Sequence, residues 1–189
     1  MREFEKDLQQ AVKGISGGGI ILYPTDTIWG IGCDATNESA VNRIFLLKKR
    51  ALNRSMIILV ADNDHLHQYV NNPSPVLLEF INNSKKPTTA IYSNAQNLPG
   101  LLLGSNGSVA IRIPDDDFCQ QLIKDAETPI VSTSANISGE ENGTEFNKIS
   151  MEIKNGVDYV VEHRRNEIIS TQPSSIIMLN KKGEIEKLR

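Results

Sequence analysis

The sequence predicts an α/β protein in which helices pack against a mixed sheet. Segments with helical periodicity alternate with short apolar runs bounded by turn residues through most of the 189 residues, a pattern typical of α/β proteins. Near the end of the chain, runs typical of strands follow one another without helices between them, so part of the sheet is expected to be antiparallel. No linker or repeat interrupts the pattern, and residues 1–189 are therefore predicted to form a single domain.

The first elements can be assigned from the residues at their boundaries. Apolar residues at helical spacing predict a helix over residues 3–15, which Gly17–Gly19 is expected to end because glycine adopts the left-handed conformation readily. Residues 20–23 are an apolar run stopped by a proline, and this pattern predicts a buried strand. After a loop over residues 24–36, Asn37 is the predicted N-cap of a second helix.

The second helix is expected to carry cations at its end, and strands and helices alternate after it. Lys48, Lys49 and Arg50 are placed in its last turn, where positive charge suits the negative end of the helix dipole. Further strands are predicted over residues 56–60, 88–92, 108–113, 130–132, 157–161, 175–179 and 184–188. Further helices are predicted over residues 63–70, 74–83, 115–125 and 144–154, with a loop rich in Gly and Asn over residues 138–144.

The composition is that of an ordinary globular protein with a slightly acidic balance. Hydrophobic residues make up 39% and charged residues 23%, and 20 Lys and Arg against 23 Asp and Glu give a net charge of -3. This balance argues against a surface that binds nucleic acid broadly, although it allows a local basic pocket. Cys33 and Cys119 are far apart and form no CxxC motif, which favours a reducing cytoplasmic location. No apolar run approaches the roughly 20 residues that span a bilayer, so no membrane partner is expected.

Several familiar kinds of site are disfavoured. Gly17–Gly19 leaves a helix and opens a strand, which is the reverse of a dinucleotide-binding or P-loop turn. His65 and His67 are two residues apart in a helical stretch and point to different faces, so no metal pair is predicted. The serines of residues 132–138 lack a GxSxG context and an evident histidine base, which argues against a hydrolase triad.

Two polar segments directly follow predicted strands, where ligands usually bind in α/β sheets. Residues 24–32 read PTDTIWGIG, and the alternative interpretation is a connecting turn with a packed Trp29. Residues 132–139 read STSANISG and offer many small hydrogen-bonding side chains, and here the alternative is a capped turn. Both segments are candidate binding loops.

Cations accompany two of the predicted strands. Residues 48–50 (KKR), with Arg54 close behind, lead into a strand, so these side chains are expected at one end of the sheet. A lysine point charge beside planar arginines suits a polyphosphate, whereas most charge clusters are solvated helix ends. Arg112 lies inside an apolar strand. Because a buried arginine is rarely unpaired, Arg112 needs a carboxylate, either of the protein or of a ligand.

Taken together, these segments resemble the YrdC/Sua5 family of threonylcarbamoyl-AMP synthases. A PT[DE]TxxGxG loop, a KxR at a helix end, an arginine in a VxxRxP strand and SANxSG occur in that order. The resemblance runs from about Gly18 to Arg189, and the length is similar to that of the short, single-domain form. The resemblance implies a twisted α/β sheet around a large, positively charged cavity.

The resemblance implies one reaction and its partners. L-threonine, bicarbonate or CO2, and ATP would give L-threonylcarbamoyl-AMP and pyrophosphate, with Mg²⁺ entering on ATP and no metal ligand from the protein. The product would pass to a threonylcarbamoyltransferase complex that builds N6-threonylcarbamoyladenosine in tRNA. Weak binding of tRNA by this chain is compatible with that role.

The resemblance also assigns residues, motif by motif. Lys48 and Arg50 correspond to the catalytic KxR pair, which holds the phosphates of ATP. The full set of implied ATP contacts is Lys48, Arg50, Ser108, Ser134, Asn136 and Arg189. The implied threonine contacts are Thr25, Arg112, Ser132 and Ser174.

Two alternatives from other functional classes stay open at this point. A non-catalytic RNA-binding module of the same fold would bind tRNA tightly with a steep dependence on salt, and the acidic net charge argues against it. A different carbamoyl-adenylate enzyme, such as the related domain of hydrogenase maturation factors, is expected beside acylphosphatase and zinc-finger segments, and neither pattern occurs here. Turnover of ATP to AMP and pyrophosphate, with and without threonine and bicarbonate, distinguishes these classes.

Overall fold

Helices and short strands follow one another in nearly the predicted order. The computed structural model describes residues 4–51, 56–140, 144–168 and 172–189. The α-helices are Glu5–Ser16 (α1), Glu38–Leu47 (α2), Asn63–His67 (α3), Pro75–Asn83 (α4), Asp117–Ala126 (α5) and Met151–Gly156 (α6). Short 3₁₀ helices cover Gly100–Leu102 and Phe146–Lys148. Within the described ranges, no helix combines the length and the apolar character that crossing a membrane requires.

The strands form one mixed sheet over the described part of the chain. They are Ile21–Tyr23 (β1), Gly30–Gly32 (β2), Ile57–Leu59 (β3), Thr88–Tyr92 (β4), Val109–Arg112 (β5), Ile130–Ser134 (β6), Tyr159–Val160 (β7), Ser175–Leu179 (β8) and Ile185–Lys187 (β9). Their order across the sheet is β7-β1-β2-β6-β3-β5-β4-β8-β9. Neighbours pair in parallel at β1–β7, β3–β5 and β4–β8 and antiparallel elsewhere in the described sheet, which confirms the prediction of a mixed sheet.

Each face of the sheet packs against its own set of helices. Alternate residues of β3 point to opposite faces, so Ile58 belongs to one apolar cluster and Leu59 to the other. The first cluster contains side chains of α2, α3, α4 and α6, and the second contains side chains of α1 and α5. On the second face, Ala110, Arg112 and Ser132 line a cavity instead of packing into the helical cluster. The uncovered part of this face is where a ligand can reach the sheet.

The predicted N-cap of α2 is confirmed. The side-chain Oδ1 of Asn37 accepts a hydrogen bond from the backbone N of Ala40 at 3.1 Å. Gly18, in the turn that follows α1, has φ +76°, as expected of a glycine that releases a helix.

Replacing Asn37 by alanine is expected to lower the free energy of unfolding by about 1 kcal/mol, because the first turn of α2 loses its side-chain acceptor. Urea denaturation of Asn37→Ala and of the cap-retaining Asn37→Ser measures the effect. Equal losses in both variants would contradict a capping role.

The largest differences from the prediction are a missed strand, a helix that ends early and a helix that is broken. The loop over residues 24–36 contains β2, which pairs with β1 on one side and β6 on the other. Helix α2 ends at Leu47, so Lys48 is its C-cap and the cations lie beyond its last turn. The helix predicted over residues 144–154 is broken by extended backbone at Ile149 and Ser150, and only its second part is α-helical.

Candidate active site

An open cavity of about 250 Å³ lies on the partly uncovered face of the sheet. Its lining combines small hydroxyl side chains, apolar strand residues and guanidinium groups. Seven of the ten residues assigned from the motifs line it: Thr25, Arg50, Arg112, Ser132, Ser134, Ser174 and Arg189. The cavity is therefore locally cationic although the chain carries a net charge of -3, as the resemblance implied.

Arg112 finds its anionic partner in the loop after β1. Its Nη1 donates to Oδ1 of Asp26, and the two side chains are only 3% and 9% exposed. The backbone N of Asp115 donates to the other carboxylate oxygen at 3.4 Å. The sequence required a carboxylate near Arg112 but did not identify it. Asp26 of the PTDT motif is the residue that could have been proposed as this carboxylate.

Thr25 lines the cavity, and its hydroxyl also shapes the loop that carries it. Its Oγ1 accepts from the backbone N of Thr27 at 3.1 Å and from that of Ile28 at 3.2 Å. The same hydroxyl donates to the carbonyl of Ile28 at 2.7 Å. These bonds curl residues 25–28 into a turn next to the buried ion pair, so the hydroxyl has a local role whatever ligand it meets.

Both glycines of the GxG segment lie against Tyr23, and Gly32 makes room for its aromatic ring. In the β1–β2 pair, Tyr23 lies opposite Gly30. A Cβ built on Gly32 would lie 2.7 Å from Cε1 of Tyr23, and one on Gly30 would lie 3.3 Å from Oγ of Ser132. Complete burial raises the pKa of Tyr23 well above its usual range, so the phenol stays neutral. Sequence reasoning did not single out Tyr23.

The start of β8 and the end of the chain meet at the cavity. Nε and Nη2 of Arg189 donate to the carbonyl of Ser174 at 3.1 and 2.9 Å. The hydroxyl of Ser174 shares a hydrogen bond of 2.8 Å with that of Thr89 on β4. Arg189, which was assigned to ATP, is thus hydrogen-bonded to the backbone of Ser174, which was assigned to threonine.

Three of the assigned residues lie outside the lining of this cavity. The Nζ of Lys48 donates to the carbonyls of Ser134 and Asn136, and burial followed by the neighbouring charge of Arg50 lowers the pKa of Lys48 to about 7. Asn136 lies beside Lys48. Ser108 lines a second pocket, which shares only its wall residue Ile91 with the cavity. The predicted contacts of these three residues with ATP stay predictions. Arg54 lies outside the described residues.

The alternative interpretation of a packed Trp29 is confirmed, and Cys33 directly follows the candidate loop. Trp29 is fully buried, with its ring 5.0 Å from that of Phe146, so it packs rather than facing a ligand. Cys33 is also fully buried, and burial raises the pKa of its thiol above the usual range, as expected of a small apolar residue rather than a nucleophile.

Comparison with known proteins decides the family. The family model Sua5_yciO_yrdC, described as "Telomere recombination", matches residues 13–189. The chain belongs to this family. A relative from Hahella chejuensis named threonylcarbamoyl-AMP synthase is 31% identical over 170 residues, which is 89% of this chain and 91% of the relative.

Solved structures of Sua5/YciO/YrdC proteins share the fold. P. abyssi Sua5 complexed with L-threonine is 26% identical with a TM-score of 0.85, over 96% of this chain and 53% of that one. This chain therefore spans about half the length of P. abyssi Sua5. E. coli YciO, at 23% identity, has a TM-score of 0.84 over 97% of this chain and 88% of that one, and this likeness concerns the fold alone.

Proposed function

We propose that this protein is an L-threonylcarbamoyladenylate synthase and hence a nucleotidyltransferase. Its substrates would be L-threonine, bicarbonate or CO2, and MgATP. The observation that carries the proposal is a cavity in which three arginines converge with small hydroxyl groups, in a family whose relatives bear this name. Threonine as the amino acid is supported by the threonine complex of the related P. abyssi protein.

The reaction needs no nucleophile from the protein. The amine of threonine attacks CO2, which forms the N–C bond of a carbamate and releases a proton. A carbamate oxygen then attacks the α-phosphorus of ATP, and pyrophosphate leaves with the electrons of the broken P–O bond. A site accelerates these steps by aligning the reactants and by neutralising the charge that develops on the phosphates. A cavity rich in guanidinium groups suits that task.

The arginines would divide the ligands between them. Arg50 and Arg189 would neutralise phosphate oxygens, because planar guanidinium forks match oxyanions. Arg112, fixed in direction by Asp26, would receive the threonine carboxylate. Selection of threonine over serine would then depend on one methyl group, which is worth roughly 1–3 kcal/mol in a fitted pocket.

Mg²⁺ would enter this site as part of the MgATP substrate. Over the described ranges, no three His, Cys, Asp or Glu side chains are grouped so that they could hold a metal ion. Phosphate oxygens and water commonly provide most ligands of such an ion. The product would be consumed by a threonylcarbamoyltransferase complex that modifies tRNA.

Arg50→Gln is expected to lower kcat/KM for ATP by about 100-fold, because a cation at the phosphates is lost. Threonine-dependent release of pyrophosphate measures the effect, and the melting temperature checks that the fold is intact. The matched control is Arg43→Gln, since Arg43 pairs with Asp158 on the surface at 2.9 Å and should keep wild-type turnover.

The same assay on the wild-type protein tests the proposed function itself. Pyrophosphate release must require both threonine and bicarbonate. Turnover of ATP that ignores threonine would overturn the proposal. An inactive protein that binds tRNA tightly, with affinity falling steeply as salt rises, would instead establish the non-catalytic RNA-binding alternative.

A further inference from the structure

The ammonium group of Lys48 is fully engaged by protein oxygens. Its Nζ donates to the carbonyl of Ser134, to the carbonyl of Asn136 at 2.7 Å and to Oδ1 of Asn136 at 3.2 Å. In its charged form the Lys48 side chain has three N–H donors, so these three acceptors match it completely. The residue is only 1% exposed. Lys48 is therefore hydrogen-bonded to Ser134 and Asn136 already in the ligand-free protein.

Asn136 is the centre of the same network. Its Oδ1 also accepts from the hydroxyl of Ser134 at 2.6 Å, and its Nδ2 donates to the carbonyl of Glu140 at 2.7 Å. The backbone carbonyl of Lys48 accepts from the backbone N of Ser138 at 2.9 Å. Lys48 therefore holds residues 134–138 through both its side chain and its main chain.

This network stands where the chain leaves the sheet. Ser134 is the last residue of β6, pairs with Gly30 and lines the cavity. Lys49, with φ +50°, turns the chain sharply after α2. As a result Lys48 contacts the 134–138 segment, whereas Arg50, one residue beyond the turn, lines the cavity.

We propose that Lys48 is a positioning residue that fastens residues 134–138 and so sets the cavity wall at Ser134, while Arg50 is the cation of this tract that meets the ligand. The KxR and SAN motifs are then joined by the hydrogen bonds between Lys48 and Asn136. The effect on turnover rests on the proposed function. The effect on the structure of the ligand-free protein does not.

Hydrogen exchange of the ligand-free protein tests the structural part. In Lys48→Met, peptides covering residues 134–138 are expected to exchange about tenfold faster than in wild type, because the segment loses its buried donor. Arg50→Met is the matched control and should leave this exchange unchanged. Wild-type exchange in Lys48→Met would overturn the proposal, because it would leave Lys48 a role only toward the ligand.

Asn136→Ala provides a second variant in case Lys48→Met does not fold. It removes the shared acceptor Oδ1, so faster exchange over residues 134–138 is again expected, and unchanged exchange would again overturn the proposal.

Kinetics add a measurement that distinguishes a positioning role of Lys48 from a direct contact with the ligand. The losses of kcat/KM in Lys48→Met and Asn136→Ala should not multiply in the double variant, because both break one network. Multiplying losses would contradict a joint role. An inactive wild-type protein would refute the proposed function and leave the exchange result standing.

Discussion

Replacing Arg112 by methionine is expected to lower the free energy of unfolding by about 3–5 kcal/mol, because removing one partner of a buried ion pair leaves the other charge uncompensated. The charge left behind is that of Asp26, whose side chain is 9% exposed. Threonine-dependent pyrophosphate release should fall by about 100-fold or more, since the guanidinium proposed to receive the threonine carboxylate is lost. Urea denaturation and the pyrophosphate assay measure the two effects.

The double variant Asp26→Asn/Arg112→Met separates stability from activity. The neutral amide that replaces the carboxylate can still accept from the backbone N of Asp115, and no charge is stranded, so most of the lost stability should return. Activity should stay low, because the guanidinium proposed to receive the threonine carboxylate is still absent. A double variant as unstable as Arg112→Met would show that the ion pair is not the source of the destabilisation.

Gly32→Ala is expected to destabilise the protein by about 3 kcal/mol through overpacking. A Cβ on Gly32 would lie 2.6 Å from the carbonyl oxygen of Val131 and 2.7 Å from Cε1 of Tyr23, so backbone and ring would both have to move. For a protein of this size, such a loss lowers the melting temperature by roughly 6–12 °C. Thermal unfolding followed by circular dichroism measures it.

The matched control is Gly100→Ala. Gly100 lies in a 3₁₀ helix, and a Cβ there would meet no atom within 4 Å. Its melting temperature should stay close to that of the wild type. A Gly32→Ala variant as stable as this control would contradict the close packing of Tyr23 against β2.

Glycine explains why β2 escaped prediction. Two of its three residues are Gly30 and Gly32, which have low β propensity, and the segment is a strand because it pairs with β1 and β6. The same glycines lie where Tyr23 crosses. In the sequence, Gly30 and Gly32 resemble part of a ligand-binding loop. Their contact with Tyr23 becomes visible only when β1 is paired with β2.

The candidate site shows a similar division. Arg50, Arg112 and Ser132, which the resemblance assigned to the site, line one cavity. The resemblance could not orient Lys48, because the direction of that side chain depends on the left-handed turn at Lys49 and on the buried oxygens of the 134–138 segment. Neither the turn nor these buried oxygens can be predicted from the residue pattern.

From the residues alone follow the order of the α-helices and of the described strands other than β2, the mixed character of the sheet and the family that the motifs resemble. Periodicity, caps and turn residues depend on residues that are close together in the sequence, so they can be recognised without the tertiary structure. The folded chain was needed to show that Asp26 is the partner of Arg112, that Lys48 contacts Asn136 and that Ser108 lines a separate pocket. These are contacts between segments distant along the chain. Burial and the competition among nearby charges and carbonyls select them, and that competition exists only once the sheet and its helices have come together.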